Sequence, residues 1–336
     1  MLRYFRGSSS SDKSKERNDG DDENRNAAGG TSSMALHTTL TSVAAVLGSR
    51  VLGRDVYAPE TPHVVDQLIA ERTTHLSQNM LWPLAQPFLY RFLHYRQAVT
   101  MADEVAELSG RDAFAYISRL LSLEISASGL EHIPSSGGFI LAPNHPTGIA
   151  DGIAVYDMMK AVRPDMAIFA NRDALRVNSR FRDLIIPVEW RAGEKSHAKS
   201  RDTLEMTAKA FNTGKAIVLF PSGRIAYWNK DKLTERPWQP SVVALARRYQ
   251  VPVIPMNMTA RNSGLFYLLS RYSTELRDMT LFHELLNKKG RAISMVIGKP
   301  IMPDALGEGE PADVAARLQE HTVHRLREDP DATFEG

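Results

Sequence analysis

The sequence predicts an α/β fold: a mixed, mostly parallel sheet flanked by helices, with an N-terminal helical region ahead of it. Two observations predict it. From about residue 125 onward, short apolar runs bounded by turn residues alternate with stretches whose apolar residues recur at helical spacing. Over residues 62–124 the spacing is helical. The chain has 336 residues, 43% of them hydrophobic, enough for one large domain or two small ones.

The elements follow in order. Residues 1–33 are Ser, Asp, Asn, Gly and charge with almost nothing to bury, and read as a disordered tail. Residues 34–124 form the helical region, its periodicity plain from "PHVVDQLIAERTTHL" onward. "LWPLAQPFLYRFLHYRQAV" (81–99) is aromatic, with Pro83 and Pro87 marking helix starts or kinks. Two readings of it stay open: a helix in a membrane interface, rings down and arginines up, or one packed on the sheet. "VTMADEVAELSGRDAFAYISRLLSL" reads as two helices meeting at Ser109-Gly110. Residues 125–330 make the α/β domain. "EISASGLEHIP", "GGFILAPN", "DMAIFAN", "RDLIIPVEW", "KAIVLFP", "VPVIPMNM" and "AISMVIGKPI" are its strands. A helix running through Met159, "SHAKSRDTLEMTAKAFNTG" capped by Gly214, and "QPSVVALARRYQ" are helices between them. In such sheets ligands sit beyond the carboxyl ends of the strands. His145, Arg172 and Pro221-Ser222-Gly223 all lie just past strand ends and are expected to share one crevice.

Composition narrows the chemistry. There is no cysteine, which excludes disulfides, thiolate catalysis and cysteine zinc sites. The acidic N-terminus lacks the apolar core of a secretory signal, and no run reaches the roughly 18 apolar residues of a spanning helix. The expectation is a cytoplasmic protein, peripheral on the cytoplasmic face of the membrane. The net charge is +2, but residues 139–260 hold 18 Lys+Arg against 11 Asp+Glu, a local +7. That segment suits an anionic ligand or an anionic membrane surface; no nucleic acid is expected.

The stretch "LAPNHPTGIADG" carries the chemistry. Pro146 biases His145 toward extended backbone, so the histidine ends a strand. Thr147 and Gly148 turn the chain and cap the next helix, which puts Asp151 in its first turn. A carboxylate folded back onto the imidazole fixes the tautomer and leaves the other ring nitrogen as a base. The alternative is a structural turn, with Asp151 favouring the helix N-terminus. There is no G-x-S-x-G elbow, so the nucleophile is expected to be a hydroxyl or amine of the substrate.

"ISASGLEHIPSSGGFILAPNHPTGIADG", "IVLFPSGR" and "VPVIPM" together resemble, in order, three blocks of the glycerolipid/lysophospholipid acyltransferase superfamily, over residues 125–305. The resemblance implies a glycerol-3-phosphate acyltransferase-like fold and makes residues 125–330 the catalytic domain. It implies transfer of a fatty acyl group from acyl-CoA or acyl-carrier protein to the hydroxyl of a lysophospholipid-like acceptor. His145 would be general base, Asp151 its orienter, and backbone N–H groups near Gly148 or Gly223 the oxyanion stabiliser. Asn144, Thr147, Gly148, Arg172, Ser222, Gly223 and Arg224 are the expected substrate-binding residues, with Arg191 a further cation. No cofactor or metal is implied.

Two departures bear on the acceptor. Five residues, Pro146 to Ala150, separate His145 from Asp151 where the common pattern has four; the longer spacing is similar to the His-Pro-x-Gly-x-x-Asp-Gly form of the hemolysin-like branch. The common Phe-Pro-Glu-Gly-Thr-Arg block here has Ser222 for the Glu, with Arg224 one place early and Ile225 in the usual Arg position. A different polar lipid, such as an amino-acid lipid acylated at oxygen or nitrogen, is therefore an alternative acceptor. A non-catalytic lipid-binding protein and a thioester hydrolase remain the rivals of another class. The charged loop "NKDKLTERP", flanked by Trp228 and Trp238, reads as a lid or a surface insertion, and "LNKKGR" (286–291) as a basic loop.

Overall fold

The computed structural model describes residues 62–189 and 195–336. The expected tail at 1–33, the start of the helical region at 34–61, and Arg191 lie outside the described residues.

Four helices come first: α1 (Val64–Arg72), α2 (Trp82–Phe92), α3 (Tyr95–Ala106) and α4 (Gly110–Leu121). The aromatic stretch 81–99 is not one element. His94 adopts φ 57°, a left-handed conformation that ends one helix and starts another. Pro83 sits in the first turn of α2, where a missing N–H costs nothing. The Ser109 side chain accepts from the Asp112 N–H (3.1 Å) and caps α4. That helix buries Ala113, Phe114, Ile117 and Leu121, one helical stripe. α2 buries Tyr90 alone among its residues.

The sheet has seven strands: β1 (Glu124–Ser128), β2 (Phe139–Pro143), β3 (Met166–Asn171), β4 (Ile185–Val188), β5 (Ala216–Val218), β8 (Val253–Thr259) and β9 (Ala292–Ile297), in spatial order β1-β9-β8-β2-β5-β3-β4. All neighbours are parallel except β8 and β9. The connecting helices are α5 (Ile149–Met159), α6 (His197–Asn212), α7 (Ser241–Tyr249), α8 (Gly264–Tyr272), α9 (Leu281–Leu286) and α10 (Pro311–Glu320). β6 (Tyr227–Asn229) and β7 (Lys232–Thr234) form a separate antiparallel hairpin within the charged loop.

β2 is central and buried at all five positions, as a strand covered on both faces must be. Its side chains alternate. Phe139 and Leu141 join the core under α4 and α5, and Ile140 and Ala142 the core under α7 and α10. The carboxyl ends of β2, β5 and β8 lie side by side, and the amino end of antiparallel β9 reaches the same edge through the pair Thr259–Ser294. The loop that carries His145 leaves β2 at this edge.

Candidate active site

Asn144 follows β2 and carries its pairing one residue further. Its side-chain amide donates to the Met258 carbonyl (3.0 Å) and accepts from the Met258 N–H (2.6 Å), pinning the strand end to β8. His145 comes next. Its backbone is held from the hairpin on both sides: its N–H donates to the Glu235 carboxylate (3.1 and 3.3 Å), and its carbonyl accepts from Ala226 N–H (2.9 Å). Its ring lies against Phe220, 4.3 Å between centroids.

The turn that follows brings Asp151 back to it. Gly148 adopts φ 95° and ψ −123°, a backbone that L side chains rarely reach. An added Cβ would also come within 2.7 Å of the Ile225 side chain. The reversal lets His145 Nδ1 contact Asp151 Oδ2 at 2.9 Å. Asp151 is fully buried. Its Oδ2 also accepts from the N–H groups of Thr147 (2.8 Å) and Gly148 (2.9 Å), and its Oδ1 from the Thr147 hydroxyl. With both oxygens accepting, the ring proton sits on Nδ1 and Nε2 keeps its lone pair.

Several expected substrate contacts turn out to have other work. The polar groups of Asn144 and Thr147 are engaged within the protein as described. The N–H of Gly148 already donates to Asp151, and the N–H of Gly223 to the Phe220 carbonyl (3.0 Å), so neither is a free oxyanion donor. Ser222 is buried, its hydroxyl donating to the Arg224 carbonyl (2.9 Å). Arg172 is not brought to the crevice. Its guanidinium donates to Asp202 (2.8 Å) and the Lys199 carbonyl (3.1 Å), docking α6 against the end of β3. Arg224 is exposed, with no side-chain partner among the described residues, and it is not among the residues that line the groove next to His145.

Glu235 is the residue that the motifs did not single out. It is 8% exposed, and burial pushes its carboxyl up from the ordinary value against the pull of the Ser222 hydroxyl and His145. A buried carboxylate thus does occur beside the second block, although Ser222 has replaced the block's own; it arrives from the far side of the hairpin. The one signal in the sequence was a Glu at the foot of a loop flanked by tryptophans.

A groove of about 1090 Å³ opens here, lined by Asn144 and Pro146, by Trp228, Leu233 and Glu235 of the hairpin region, and by the segment after β8. That segment is fixed from below. Ser263 donates through N–H (2.9 Å) and hydroxyl (2.5 Å) to Glu284, and Lys288 donates to the same carboxylate (2.9 Å). Burial pulls the Lys288 ammonium down, while its salt bridge and the Ser263 donors outweigh burial and hold Glu284 down.

The comparisons with known proteins support an acyltransferase of the lysophospholipid/glycerolipid type. Residues 124–259 match the model of the acyltransferase family. Two relatives are both named lyso-glycine lipid O-acyltransferase. That of Phocaeicola vulgatus is 24% identical over 64% of this chain and 77% of its own, and that of Bacteroides thetaiotaomicron is 20% identical over 64% and 79%. A solved structure, the 1-acyl-sn-glycerophosphate acyltransferase of Thermotoga maritima, is 14% identical, with a TM-score of 0.41 over 88% of this chain and 96% of that one. Over residues 124–259 the chain is similar to the acyltransferase family, and its curated relatives are lipid O-acyltransferases.

Proposed function

We propose that the protein transfers a fatty acyl group from a thioester donor to the hydroxyl of a lyso-lipid that carries an amino-acid headgroup. The observation that carries the chemistry is the contact of His145 Nδ1 with a fully buried Asp151 bound by three further donors. Nε2 removes the acceptor's hydroxyl proton as that oxygen attacks the thioester carbonyl. Asp151 stabilises the imidazolium that forms. The tetrahedral intermediate collapses, the C–S bond breaks, and the same proton passes from Nε2 to the departing thiolate. The site needs no metal or cofactor for these steps.

The acceptor follows from two considerations. Both curated relatives are named for a lyso-glycine lipid, and the block that in the common pattern meets a glycerol phosphate carries Ser222 in place of Glu. A glycine joined through its nitrogen presents a free carboxylate, which suits the single unpaired guanidinium of Arg224. The acceptor arrives from a membrane. Met80, Leu81, Leu84, Phe88 and Phe92 are 62–84% exposed along α2 and its approach, an apolar stripe with Arg91 among it. No helix among the described residues is long and apolar enough to cross a bilayer. A peripheral position on the cytoplasmic face is part of the proposal, and the exposed stripe supports the membrane contact.

Thiol release from long-chain acyl thioester by the full chain tests this, with lyso-glycine lipid, lysophosphatidic acid or no acceptor, beside His145→Ala. The expected result is release that needs the glycine acceptor and disappears in the variant. Equal release without acceptor would make the protein a hydrolase, preference for lysophosphatidic acid would overturn the amino-acid headgroup, and an active His145→Ala would overturn the mechanism.

A further inference from the structure

The groove beside His145 has a cationic end that the acceptor does not account for. Arg261, Arg271, Arg291 and Arg327 all line it, drawn from the β8–α8 connection, α8 itself, the residue before β9 and the C-terminal segment. None of the four has a side-chain hydrogen bond or ion pair among the described residues. Several arginines elsewhere are paired: Arg72, Arg163, Arg172 and Arg176 each hold a carboxylate. The groove's lining includes one carboxylate, Glu235, and that lies at the other end, against His145. Four guanidinium groups lining one groove without a side-chain partner repel one another, and a polyanion relieves that repulsion.

The layout suits a long ligand. Arg261 follows β8, the neighbour of β2, and Arg291 precedes β9, two strands from β2, so the strands that carry these two cations lie about 5 and 10 Å from that of His145 at the usual strand spacing. Neutral side chains, Trp228, Leu233, Met258 and Ile293, share the lining with them. At about 1090 Å³ the groove is as large as those that hold whole drug-sized ligands. One headgroup carboxylate engages one or two guanidiniums and leaves the rest unpaired. A thioester donor has the matching shape: a carbonyl at the base, an uncharged amide-linked arm, and phosphate at its far end.

We propose that Arg261, Arg271, Arg291 and Arg327 bind the phosphate end of the acyl donor's phosphopantetheine handle. The assignment rests on the acyl-transfer reading above. The shared chemistry has two sources, coenzyme A, whose further phosphates use all four cations, and a holo-carrier protein.

Calorimetric binding to the full chain tests it, with CoA, pantetheine and a holo-carrier protein as probes, on wild type, Arg291→Gln, Arg327→Gln and the double variant. Neither side chain is bonded among the described residues, so the variants keep the wild-type melting temperature. CoA is expected to bind with an affinity that falls steeply with added salt. Pantetheine, which lacks phosphate, is expected to bind at least a hundredfold more weakly, and each glutamine to weaken CoA about tenfold. Arginine-dependent binding of the carrier protein without binding of CoA assigns the site to that source. Equal affinity for CoA and pantetheine, wild-type affinity in the double variant, or variants that raise only the acceptor's KM overturn the proposal. Binding needs no turnover. A protein that holds CoA through these arginines yet transfers no acyl group would keep this site and refute the acyl-transfer reading instead.

Discussion

Replacing Asp151 by Asn separates the charge of the dyad from its geometry. Asp151 Oδ2 accepts from three N–H donors and Oδ1 from one hydroxyl. An amide has one orientation that keeps almost all of this, with its oxygen in the Oδ2 position and its NH2 facing Thr147, whose hydroxyl rotates to accept. The two backbone donors, Thr147 and Gly148, cannot rotate, so they select that orientation. His145 then still donates from Nδ1, and Nε2 remains the base. What disappears is the negative charge beside the imidazolium. Each contact goes from charge-assisted to neutral, a loss of about 1 kcal/mol apiece that relief from burying a charge partly offsets. The expected net destabilisation is about 1–3 kcal/mol, and the protein folds. The transition state loses a fixed, water-excluded counter-charge at 2.9 Å, worth about 10²–10³ in kcat, or about 2.7–4 kcal/mol. A swap that also inverted the tautomer would cost about 10⁴. Steady-state kcat with both substrates saturating, alongside a thermal melt, measures both numbers. A folded Asp151→Asn protein within tenfold of wild-type kcat would refute a catalytic role for the carboxylate charge, and a 10⁴-fold loss would refute the locked tautomer.

Three further outcomes follow from the same contacts. Gly148→Ala forces a side chain onto φ 95° and against Ile225; a loss of about 1–3 kcal/mol by denaturant titration is expected, and Ile225→Ala is expected to restore little of it because the backbone strain remains. Glu235 has a carboxyl pushed above its ordinary 4.5, so its buried charge lowers stability as pH rises through and beyond that value. Glu235→Gln removes this while keeping an acceptor for the His145 N–H, so its melting temperature is expected to match wild type below about pH 4.5 and exceed it above; Glu235→Leu leaves that N–H unpaired, costs about 1–3 kcal/mol and lowers kcat. Lys288→Met strands the buried Glu284 and is expected to cost about 3–5 kcal/mol by chemical denaturation, most of it recovered when Glu284→Gln is added.

The strands were legible because each is a short apolar run between turn residues, and β2, buried on both faces, reads as five apolar residues in a row. The order of strands was not, since β9 inserts between β1 and β8 and runs against β8, a pairing that no local pattern encodes. The break inside 81–99 was hidden for a different reason. His94 takes a left-handed conformation without being Gly or Asn, so the residue type gave no warning. The hairpin in "NKDKLTERP" escaped because β6 and β7 have three residues each, too few for alternation to show.

In the site, the legible part is what lies close in sequence. His145 and Asp151 are six residues apart, and Pro146, Thr147 and Gly148 between them each announce a turn, so the backbone that folds one onto the other could be reasoned out. Contacts made across the fold could not. Glu235 reaches His145 from ninety residues away, and it touches the backbone of the histidine, a group every residue possesses, so no side-chain pattern marks the pairing. Arg172 failed in the opposite direction. It does sit past a strand end as the topology requires, but the sheet order puts β5 between β3 and β2, and Asp202, thirty residues on, claims it. Whether an arginine past a strand end serves a ligand or the scaffold is decided by the presence of a carboxylate on the helix above it. On this criterion Arg172 is scaffold, while Arg224 and the four arginines of the groove, which no carboxylate among the described residues meets, are the ones that the proposals above assign to substrates.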